Sequence, residues 1–407
     1  MGDQYIFWDL ETTGRNDKFD QITQVGAVLT DHNFEVKDKL EIHSKLRDGK
    51  WFEPGALLTT GVNPLNLFKN NYPNYYEASA QLYETFQQWS SPSAIFIGFN
   101  NINFDEPFLR QALYQNLMPE IYMTVTNNNV RMDVFEILRL VSVYSPEHIK
   151  FNTDDQGYPI LKLEEIFKKN DISISYEAGP HDAVFDSLVT LELNKILSIR
   201  CPQIWKSAYD FRLRETPKKF LLDHLVFTNT TFWGRRPTIK AQTLIAGIPG
   251  KNHHYLVYNL LFDPKKLQDL DDKELIKKMN DGVKRICEVF DGSKSKTLLN
   301  ESYCFKDSKF AEIGVDELRS RANFIKNNEE FCSRLIQLYI DNQKKWPEPY
   351  NVEERIFENF PSPQDKKVML DFHTSPNNKK FEISQQFKDD RYKELAIRII
   401  YEVAPHT

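Results

Sequence analysis

Cysteine is scarce in this sequence, with four residues among 407. Cys201, Cys287, Cys304 and Cys332 are far apart, and no two of them form a C-x-x-C pair. Structural zinc sites and disulfide-rich secreted domains need closely spaced cysteines, so the sequence gives no sign of either. Scattered cysteines are typical of reduced thiols, and we therefore expect a cytoplasmic protein.

Long hydrophobic runs are also absent. No uncharged apolar window reaches the roughly eighteen residues of a membrane helix. The N-terminus lacks a basic stretch followed by an apolar one, and Ile6 breaks the myristoylation pattern. The sequence therefore predicts no membrane span and no secretory signal.

The sequence has no excess of positive charge. Lysine and arginine number 52 and aspartate and glutamate 58, so the net charge is −6. Proteins that bind nucleic acid are often basic, so this balance counts against nucleic-acid binding unless the cations are concentrated on one surface. Repeats and low-complexity tracts are absent as well. An apolar content of 41% in a chain of this length predicts a folded protein of about two or three domains.

The stretch that carries the most information is Phe7 to Gly14, which reads F-W-D-L-E-T-T-G. Asp9 and Glu11 are two positions apart, so a β-strand would point both carboxylates to the same face. Because two neighbouring anions repel each other unless a cation neutralises them, the pair predicts a divalent metal with oxygen ligands, Mg²⁺ or Mn²⁺. The alternative is a strand that runs into solvent with two surface acids.

A further acid follows the apolar run from Ala94 to Phe99, which is typical of a strand covered on both faces. After Asn100 and Asn101, a helix that begins near Asn103 places Asp105 in its first turn. The positive end of the helix dipole stabilises a carboxylate there. Asp105 is thus either a metal ligand or an ordinary acid at a helix N-terminus.

The segment Gly179 to Asp186 adds a histidine and another acid. Pro180 favours an extended backbone before it, and Asp182 is a good N-cap for a helix from Ala183 to Ser198. His181 then lies in the loop and Asp186 in the second helical turn, so the two side chains can converge. The alternative is a capping or surface histidine.

Together these groups suit phosphodiester hydrolysis. Four carboxylates from separate elements can hold two metal ions, and a neutral histidine can take a proton from the attacking water. This spacing resembles the DEDD exonucleases of the ribonuclease H-like fold, in the subgroup with a histidine base. Position 182 is aspartate, which excludes the subgroup with a tyrosine base.

The resemblance extends along the chain in several ordered blocks. They are D-L-E-T-T-G from Asp9, P-G-A-L-L-T-T-G-V from Pro54, G-F-N-N-I-N-F-D-E from Gly98, R-M-D from Arg131, D-D-Q-G-Y-P-I-L-K-L-E from Asp154 and H-D-A-V-F-D from His181. In this order they resemble the bacterial exonuclease I family, which removes nucleotides from single-stranded DNA in the 3′-to-5′ direction.

The resemblance implies a role for each acid. Asp9, Glu11 and Asp186 would bind the first Mg²⁺, Asp9 and Asp105 the second, and His181 would be the general base; Mn²⁺ would substitute for Mg²⁺. Catalytic residues are therefore expected at Asp9, Glu11, Asp105, His181 and Asp186.

Substrate contacts are implied for Glu11, Thr12, Thr13, Arg110, Arg139, Lys162 and His181. Thr12 and Thr13 would approach the terminal sugar, with backbone amides free to meet its 3′-hydroxyl. Lys162 stands where the family usually has arginine, so a bidentate phosphate contact would become a point charge. For the three cations the alternative is a solvated helix face.

The second half of the chain resembles the family less closely. Phe232-Trp233-Gly234-Arg235-Arg236 mixes aromatic and cationic residues, as single-strand grooves do, although an ordinary β core with a solvated rim would have the same composition. The resemblance implies an α/β protein: a ribonuclease H-like exonuclease domain with a mixed central sheet flanked by helices (1–200), an SH3-like β domain with inserted helices (206–346) and a short C-terminal helical region (351–407). That last region is either reduced or truncated.

The predicted function is a metal-dependent exonuclease on single-stranded DNA, in repair and recombination. Implied partners are single-stranded DNA and the C-terminal tail of single-stranded DNA-binding protein, and we expect a monomer associated with the nucleoid. An RNA-trimming exonuclease and a non-catalytic nucleic-acid-binding scaffold are the alternatives. Two hundred further residues favour DNA over RNA, and a complete set of acids with a histidine argues against a scaffold.

Overall fold

The computed structural model describes residues 4–69, 71–344 and 347–404. Its strands are β1 (Gln4–Thr12), β2 (Ile22–Thr30), β3 (Val36–His43), β4 (Ala94–Gly98), β5 (Val130–Asp133), β6 (Asn152–Thr153), β7 (Pro159–Ile160), β8 (Phe227–Trp233), β9 (Arg236–Gly247), β10 (His254–Asn259), β11 (Cys287–Asp291) and β12 (Leu299–Asn300). Its α-helices are α1 (Pro54–Thr60), α2 (Pro64–Lys69), α3 (Tyr75–Trp89), α4 (Asp105–Gln115), α5 (Val134–Tyr144), α6 (Leu163–Lys169), α7 (Ala183–Arg200), α8 (Pro202–Asp210), α9 (Thr216–Asp223), α10 (Asp272–Met279), α11 (Ser308–Ile313), α12 (Val315–Asn327), α13 (Glu329–Asp341), α14 (Pro363–Thr374), α15 (Asn377–Ser384) and α16 (Asp390–Val403).

The described residues form two compact units. The first unit comprises those within Met1–Val134, Ile172–Lys195 and Pro347–Thr407, and the second those within Phe135–Asp171 and Ile196–Trp346. The domain limits implied by the family resemblance stay a prediction. No helix in the described part of the chain has the length and apolar character of a membrane span.

The first unit is built on a five-stranded sheet with the order β3-β2-β1-β4-β5. β1 pairs antiparallel with β2 and parallel with β4, so the sheet is mixed, and the predicted meander of the first three strands is confirmed. The R-M-D block from Arg131 to Asp133 lies in β5 and pairs with β4 before α5 begins at Val134.

Helices α3 and α4 contribute side chains to the hydrophobic core of this sheet. Trp8 packs edge-on against Phe86, with ring centroids 5.9 Å apart. α3 begins at Tyr75 because Asn74 and Glu77 form a reciprocal capping box. α4 begins at Asp105 itself rather than near Asn103.

The C-terminal helices also belong to the first unit. Val368, Phe372 and Ile399 form a hydrophobic cluster with aromatic residues of α3 and α4. Tyr114 of α4 donates a hydrogen bond of 2.9 Å to the carbonyl of Val352. The predicted helical character of the C-terminal region is therefore confirmed for its described residues.

The second unit contains another five-stranded sheet, with the order β11-β10-β9-β8-β12 and antiparallel pairing throughout. Helices α10, α12 and α13 contribute Leu275, Leu318 and Leu335 to its core. β6 and β7 form a small separate sheet. A β sheet with helices inserted between its strands agrees with the predicted second half of the fold.

Candidate active site

Two carboxylates lie at the end of β1 in the centre of the first sheet. Opposite them on β2, Gly26 pairs with Asp9 and Gln24 with Glu11. Both acids are half-buried and point to the same face, because they are two positions apart on one strand. The face they share is the one onto which α7 packs.

Gly26 allows the first turn of α7 to approach β2 closely. A Cβ atom at this position would lie 2.0 Å from the carbonyl carbon of Ala183, a distance that real atoms do not tolerate. The Ser187 hydroxyl lies 3.0 Å from the Gly26 carbonyl oxygen and joins helix to strand one turn later. The missing side chain thus brings the start of α7 to the acids of β1.

Gln24 and Asp182 also hold the start of α7 against β2. The Gln24 amide donates to Asp182 at 2.8 Å and its oxygen accepts from the Ala183 amide at 3.2 Å. Asp182 also accepts hydrogen bonds from the backbone amides of Val184 and Phe185. It is therefore the predicted N-cap of α7, and it is bound to strand β2 at the same time.

His181 lies just before the helix in the left-handed backbone region, with φ of +68°. Its amide donates to Asp186 Oδ2 at 3.2 Å, which ties the loop residue to the first turn of the helix. Ligand atoms of Glu11, His181 and Asp186 all lie within 4.8 Å of one another. The structure therefore brings together residues that are far apart in the sequence.

Asp105 reaches the site from α4. Its side chain is 3% exposed and accepts a hydrogen bond of 3.0 Å from the amide of Leu10, between the two acids of β1. The loop that precedes α4 is held by buried Asp133, which accepts from the amides of Asn100 at 2.8 Å and Ile102 at 3.4 Å. Asp133 thus positions the backbone that delivers Asp105.

The electrostatics of these acids are unfavourable when no cation is present. Burial, followed by repulsion from Asp186 and Asp105, raises the pKa of Glu11 to about 9. Burial raises the pKa of Asp105 to about 7, although two backbone hydrogen bonds act in the opposite direction. The pKa of Asp9 also lies well above its ordinary value, because it is buried and faces Asp105, Asp186 and Glu11.

A divalent cation fits this donor set. The side chains supply carboxylate oxygens and one imidazole, and their mutual repulsion is the interaction that a cation would cancel. The described residues contain one group of metal-ligating side chains of this kind, and it is the group at this site.

Thr12 and Thr13 follow the acids directly, and both are buried. The Thr12 hydroxyl donates to the Gly14 carbonyl at 2.7 Å, and the Thr13 hydroxyl lies 3.2 Å from Asp20. The Thr13 amide donates to the Gln21 carbonyl at 2.9 Å. The expectation that this amide is free for a 3′-hydroxyl is therefore wrong, since the loop after β1 uses it.

Arg110 lies on α4, one turn after the acids that begin the helix. Its guanidinium is 2.5 Å from Glu106 and 5.3 Å from the centre of the Tyr122 ring. Buried Glu106 also pairs with Arg131. Arg110 is therefore partly committed to an internal ion pair, and its contact with a substrate stays a prediction.

The other two predicted substrate cations lie in the second unit. Arg139 on α5 pairs with Glu136 at 2.8 Å and covers the rings of Phe135 and Phe232 at 4.4 and 4.9 Å. Lys162 is exposed at the residue before α6. Arg139 is thus more than a solvated charge, whereas Lys162 has no comparable side-chain contact among the residues that the structure describes.

Sequence reasoning did not single out Gly26, Gln24 or Asp133 as residues that build the site. An isolated glycine within a strand often marks a close backbone approach, so Gly26 carried a usable signal. Asp133 is part of the R-M-D block but looked like an ordinary residue before a helix. Gln24 had no local signal, because its partner is remote in the chain.

No family model matches the chain. It is similar to exodeoxyribonuclease I of Buchnera aphidicola subsp. Schizaphis graminum, with 23% identity over 408 residues, which is 97% of this chain and 82% of the relative. It is likewise similar to exodeoxyribonuclease I of Escherichia coli K12, with 22% identity over 389 residues, 92% of this chain and 80% of the relative. The resemblance predicted from the motifs is therefore confirmed.

Solved structures agree over the whole fold. Exonuclease I from Methylocaldum szegediense matches with a TM-score of 0.84 and 21% identity, covering 100% of this chain and 86% of that one. Escherichia coli exonuclease I in complex with a dA16 oligonucleotide matches with a TM-score of 0.85 and 20% identity, over 99% and 87%. A structure of SSB/Exonuclease I with the inhibitor CFAM matches with a TM-score of 0.81 and 20% identity, covering 100% of this chain and 87% of that one. The predicted fold class is confirmed.

Proposed function

We propose that this protein is a metal-dependent 3′-to-5′ exonuclease that degrades single-stranded DNA to nucleoside 5′-monophosphates. The observation that carries the proposal is the convergence of Glu11, His181 and Asp186 within 4.8 Å, beside Asp9 and Asp105. The similarity to exodeoxyribonuclease I over nearly the whole chain supports DNA as the substrate. The complex of one such structure with dA16 supports a single strand.

Two Mg²⁺ ions, or Mn²⁺ in their place, are the proposed cofactors. Asp9, Glu11 and Asp186 would hold the first ion, and Asp9 and Asp105 the second. When bound, the ions supply positive charge for the phosphodiester transition state. The chain contributes the carboxylate oxygens and holds them close together, which raises the pKa values of Asp9, Glu11 and Asp105.

His181 is the proposed general base. A ring nitrogen of the neutral imidazole takes a proton from the attacking water. The backbone hydrogen bond from His181 to Asp186 keeps the loop beside the helix, so the base and a metal ligand move as one element. An imidazole suits this step because histidine is the side chain that most often serves as a general base.

The remaining substrate contacts are proposed for Thr12 and Thr13 near the terminal sugar, and for Arg110, Arg139 and Lys162 along the strand. The acidic net charge does not oppose this arrangement, because the acids of the site would be neutralised by cations. We also propose that the tail of single-stranded DNA-binding protein is a partner, as the SSB/Exonuclease I structure suggests for its own chain. We further propose a role in DNA repair and recombination, carried out by a monomer.

Product analysis on 5′-labelled DNA with Mg²⁺ tests the proposal. We expect mononucleotides from the 3′ end of a single strand, slower digestion of a duplex, and no digestion in EDTA. Asp186→Ala should abolish release while the circular dichroism spectrum stays unchanged. Glu192→Gln is the matched control, because Glu192 lies on the same helix and pairs with Lys195 rather than with the site.

Three results would contradict the proposal. Undiminished activity of Asp186→Ala would remove the site from the chemistry. Faster removal of nucleotides from oligo-U than from oligo-dT in one mixture would make RNA the substrate. Strand binding without any mononucleotide release would leave a binding protein without catalysis.

A further inference from the structure

The β8–β9 hairpin of the second unit ends in an exposed tryptophan. Trp233 pairs with Arg236 across a turn made by Gly234 and Arg235, and Gly234 takes φ of +58°. Such two-residue turns need positive φ, so the glycine fixes a tight tip. The side chain of Trp233 remains 78% exposed at this tip.

The two aromatic residues of the hairpin face opposite ways. Phe232 lies under the guanidinium of Arg139, which is 4.9 Å from the ring centre. Trp233 points to the other face, because neighbouring residues of a strand alternate. No ring contact or cation–π contact of Trp233 is found within the described residues, and its high exposure leaves the indole accessible to a ligand.

Two guanidinium groups flank the indole. Arg235 lies 3.3 Å from Asp154, and Asp154 is itself fixed by the backbone amides of Gln156 and Tyr158. Arg236, directly opposite Trp233, has no ion-pair partner in the part of the chain that the structure describes. The tip therefore carries one positioned cation and one uncommitted cation beside an uncovered aromatic ring.

This combination favours a polyanion with flat, exposed rings. A large apolar side chain that stays in water gains nothing for folding, whereas stacking on an unpaired base removes it from water. The neighbouring cations match phosphates that recur along a strand. A duplex hides its base faces and cannot use the ring, so the tip is selective for single strands.

We propose that the hairpin tip formed by Trp233, Arg235 and Arg236 binds single-stranded DNA. The indole stacks on an unpaired base, and the two guanidinium groups contact the adjoining phosphates. This inference rests on the proposed function, since it names a contact for the same substrate. An acidic protein is the other occupant that the charges allow, and the experiment below separates the two.

The test measures DNA affinity by fluorescence anisotropy in an Asp186→Asn background with Mg²⁺, where hydrolysis should be blocked. Trp233→Ala should weaken binding of a labelled oligo-dT by about five- to a hundredfold, the range expected for loss of one stacked ring, whereas Trp233→Phe should retain most of the affinity. Arg236→Gln should lower the slope of log affinity against log salt by about 0.7, the value for one phosphate contact on a single strand. Tyr401→Ala is the matched control, because Tyr401 is 73% exposed on α16 in the other unit.

A photochemical readout makes the contact direct. An oligonucleotide with 5-iododeoxyuridine at successive positions should crosslink to the peptide that contains Trp233, and Trp233→Phe should reduce that product. Unchanged affinity of Trp233→Ala together with no crosslink would overturn the hairpin proposal while the exonuclease stands. Trp233-dependent binding without nucleotide release from the natural sequence would overturn the proposed function and leave the hairpin. If Trp233→Ala weakened the binding of an acidic peptide but not that of oligo-dT, the proposed DNA contact would be overturned.

Discussion

Each unit of the molecule buries carboxylate charge, but the two do so differently. In the second unit, Glu288 lies 2.5 Å from Lys240 and accepts hydrogen bonds from Gln242 at 2.6 Å and Asn229 at 3.2 Å. In the first unit, Glu11 has acidic neighbours, and its pKa is raised to about 9. The charge of Glu288 is neutralised by a lysine of the same chain, whereas Glu11 is surrounded by further acids.

The difference indicates which cluster is structural and which is functional. A charge that is paired and fully hydrogen-bonded maintains the sheet around it, and nothing further is needed there. A group of like charges is retained only if something outside the chain compensates for the repulsion. We therefore interpret the acids near β1 as a candidate cation-binding site, and the Glu288 cluster as a structural part of the second sheet.

The largest expected effect comes from removing one acid of the first cluster. Glu11→Gln should lower the rate of nucleotide release by about a thousandfold or more, because it removes one of the proposed ligands of the cations. The same change should raise the melting temperature of the metal-free protein, since it removes a carboxyl group that must take up a proton when the chain folds. Release assays and thermal unfolding in EDTA give the two readouts, with Glu192→Gln as the control that changes neither.

Removing the cation from the Glu288 cluster should lower the stability of the protein. Lys240→Met leaves Glu288 without its ion-pair partner and should destabilise the protein by about 1–3 kcal/mol, because Gln242 and Asn229 still donate to the carboxylate. Denaturant unfolding measures this loss. Lys206→Met is the control, because the Lys206–Asp210 pair is exposed and its removal should cost within about 1 kcal/mol. Equal losses in the two variants would contradict the structural role of the Glu288 cluster.

A comparable effect tests how the first cluster is assembled. Gly26→Ala forces β2 and α7 apart, because the new methyl group would meet the Ala183 backbone, and we expect a loss of about 1–3 kcal/mol. The rate of nucleotide release should fall as well, since His181 and Asp186 move with α7. Gly247→Ala, at a strand position with open space around it, should change neither quantity appreciably. A fully active Gly26→Ala would mean that the close approach is dispensable.

The smallest expected effect is a pH dependence. Glu11 titrates near 4.5 when unfolded and near 9 when folded, and Asp105 near 3.8 and 7. Between these values the folded metal-free protein binds more protons than the unfolded chain, so its stability must fall as the pH rises. Partial exposure of Glu11 limits the effect, and we expect about 2–4 °C in melting temperature, or roughly 1 kcal/mol. Glu11→Gln should flatten the profile, and a profile that rises towards pH 9 would contradict the assignment.

Local signals in the sequence were sufficient for much of the fold. The alternation around Asp9 and Glu11 predicted β1, and Pro180 with Asp182 predicted the start of α7. The capping box of Asn74 and Glu77 is a further local signal, because it fixes the start of α3 at Tyr75. β5 is only four residues long and runs directly into a helix, so its pairing with β4 decides its structure.

The details of the site depended on contacts between remote segments. The i,i+4 spacing of Glu106 and Arg110 is a local signal for their ion pair, whereas the pairing of Glu106 with Arg131 joins separate elements and has no such signal. The Thr13 amide is used by Gln21 across a loop. Sequence motifs identify which residues carry the chemistry, whereas tertiary packing decides which of their donors remain available.

Calorimetric titration of the metal-free protein with Mn²⁺ at pH 7, in two buffers of different ionisation enthalpy, tests the central claim most directly. Because the pKa of Glu11 is raised to about 9 and that of Asp105 to about 7 in the folded metal-free protein, cation binding should release about one proton or more, and Glu11→Gln should release fewer. Mn²⁺ binding without proton release, or proton release that is identical in Glu11→Gln, would contradict the claim that these acids form a cation-binding site.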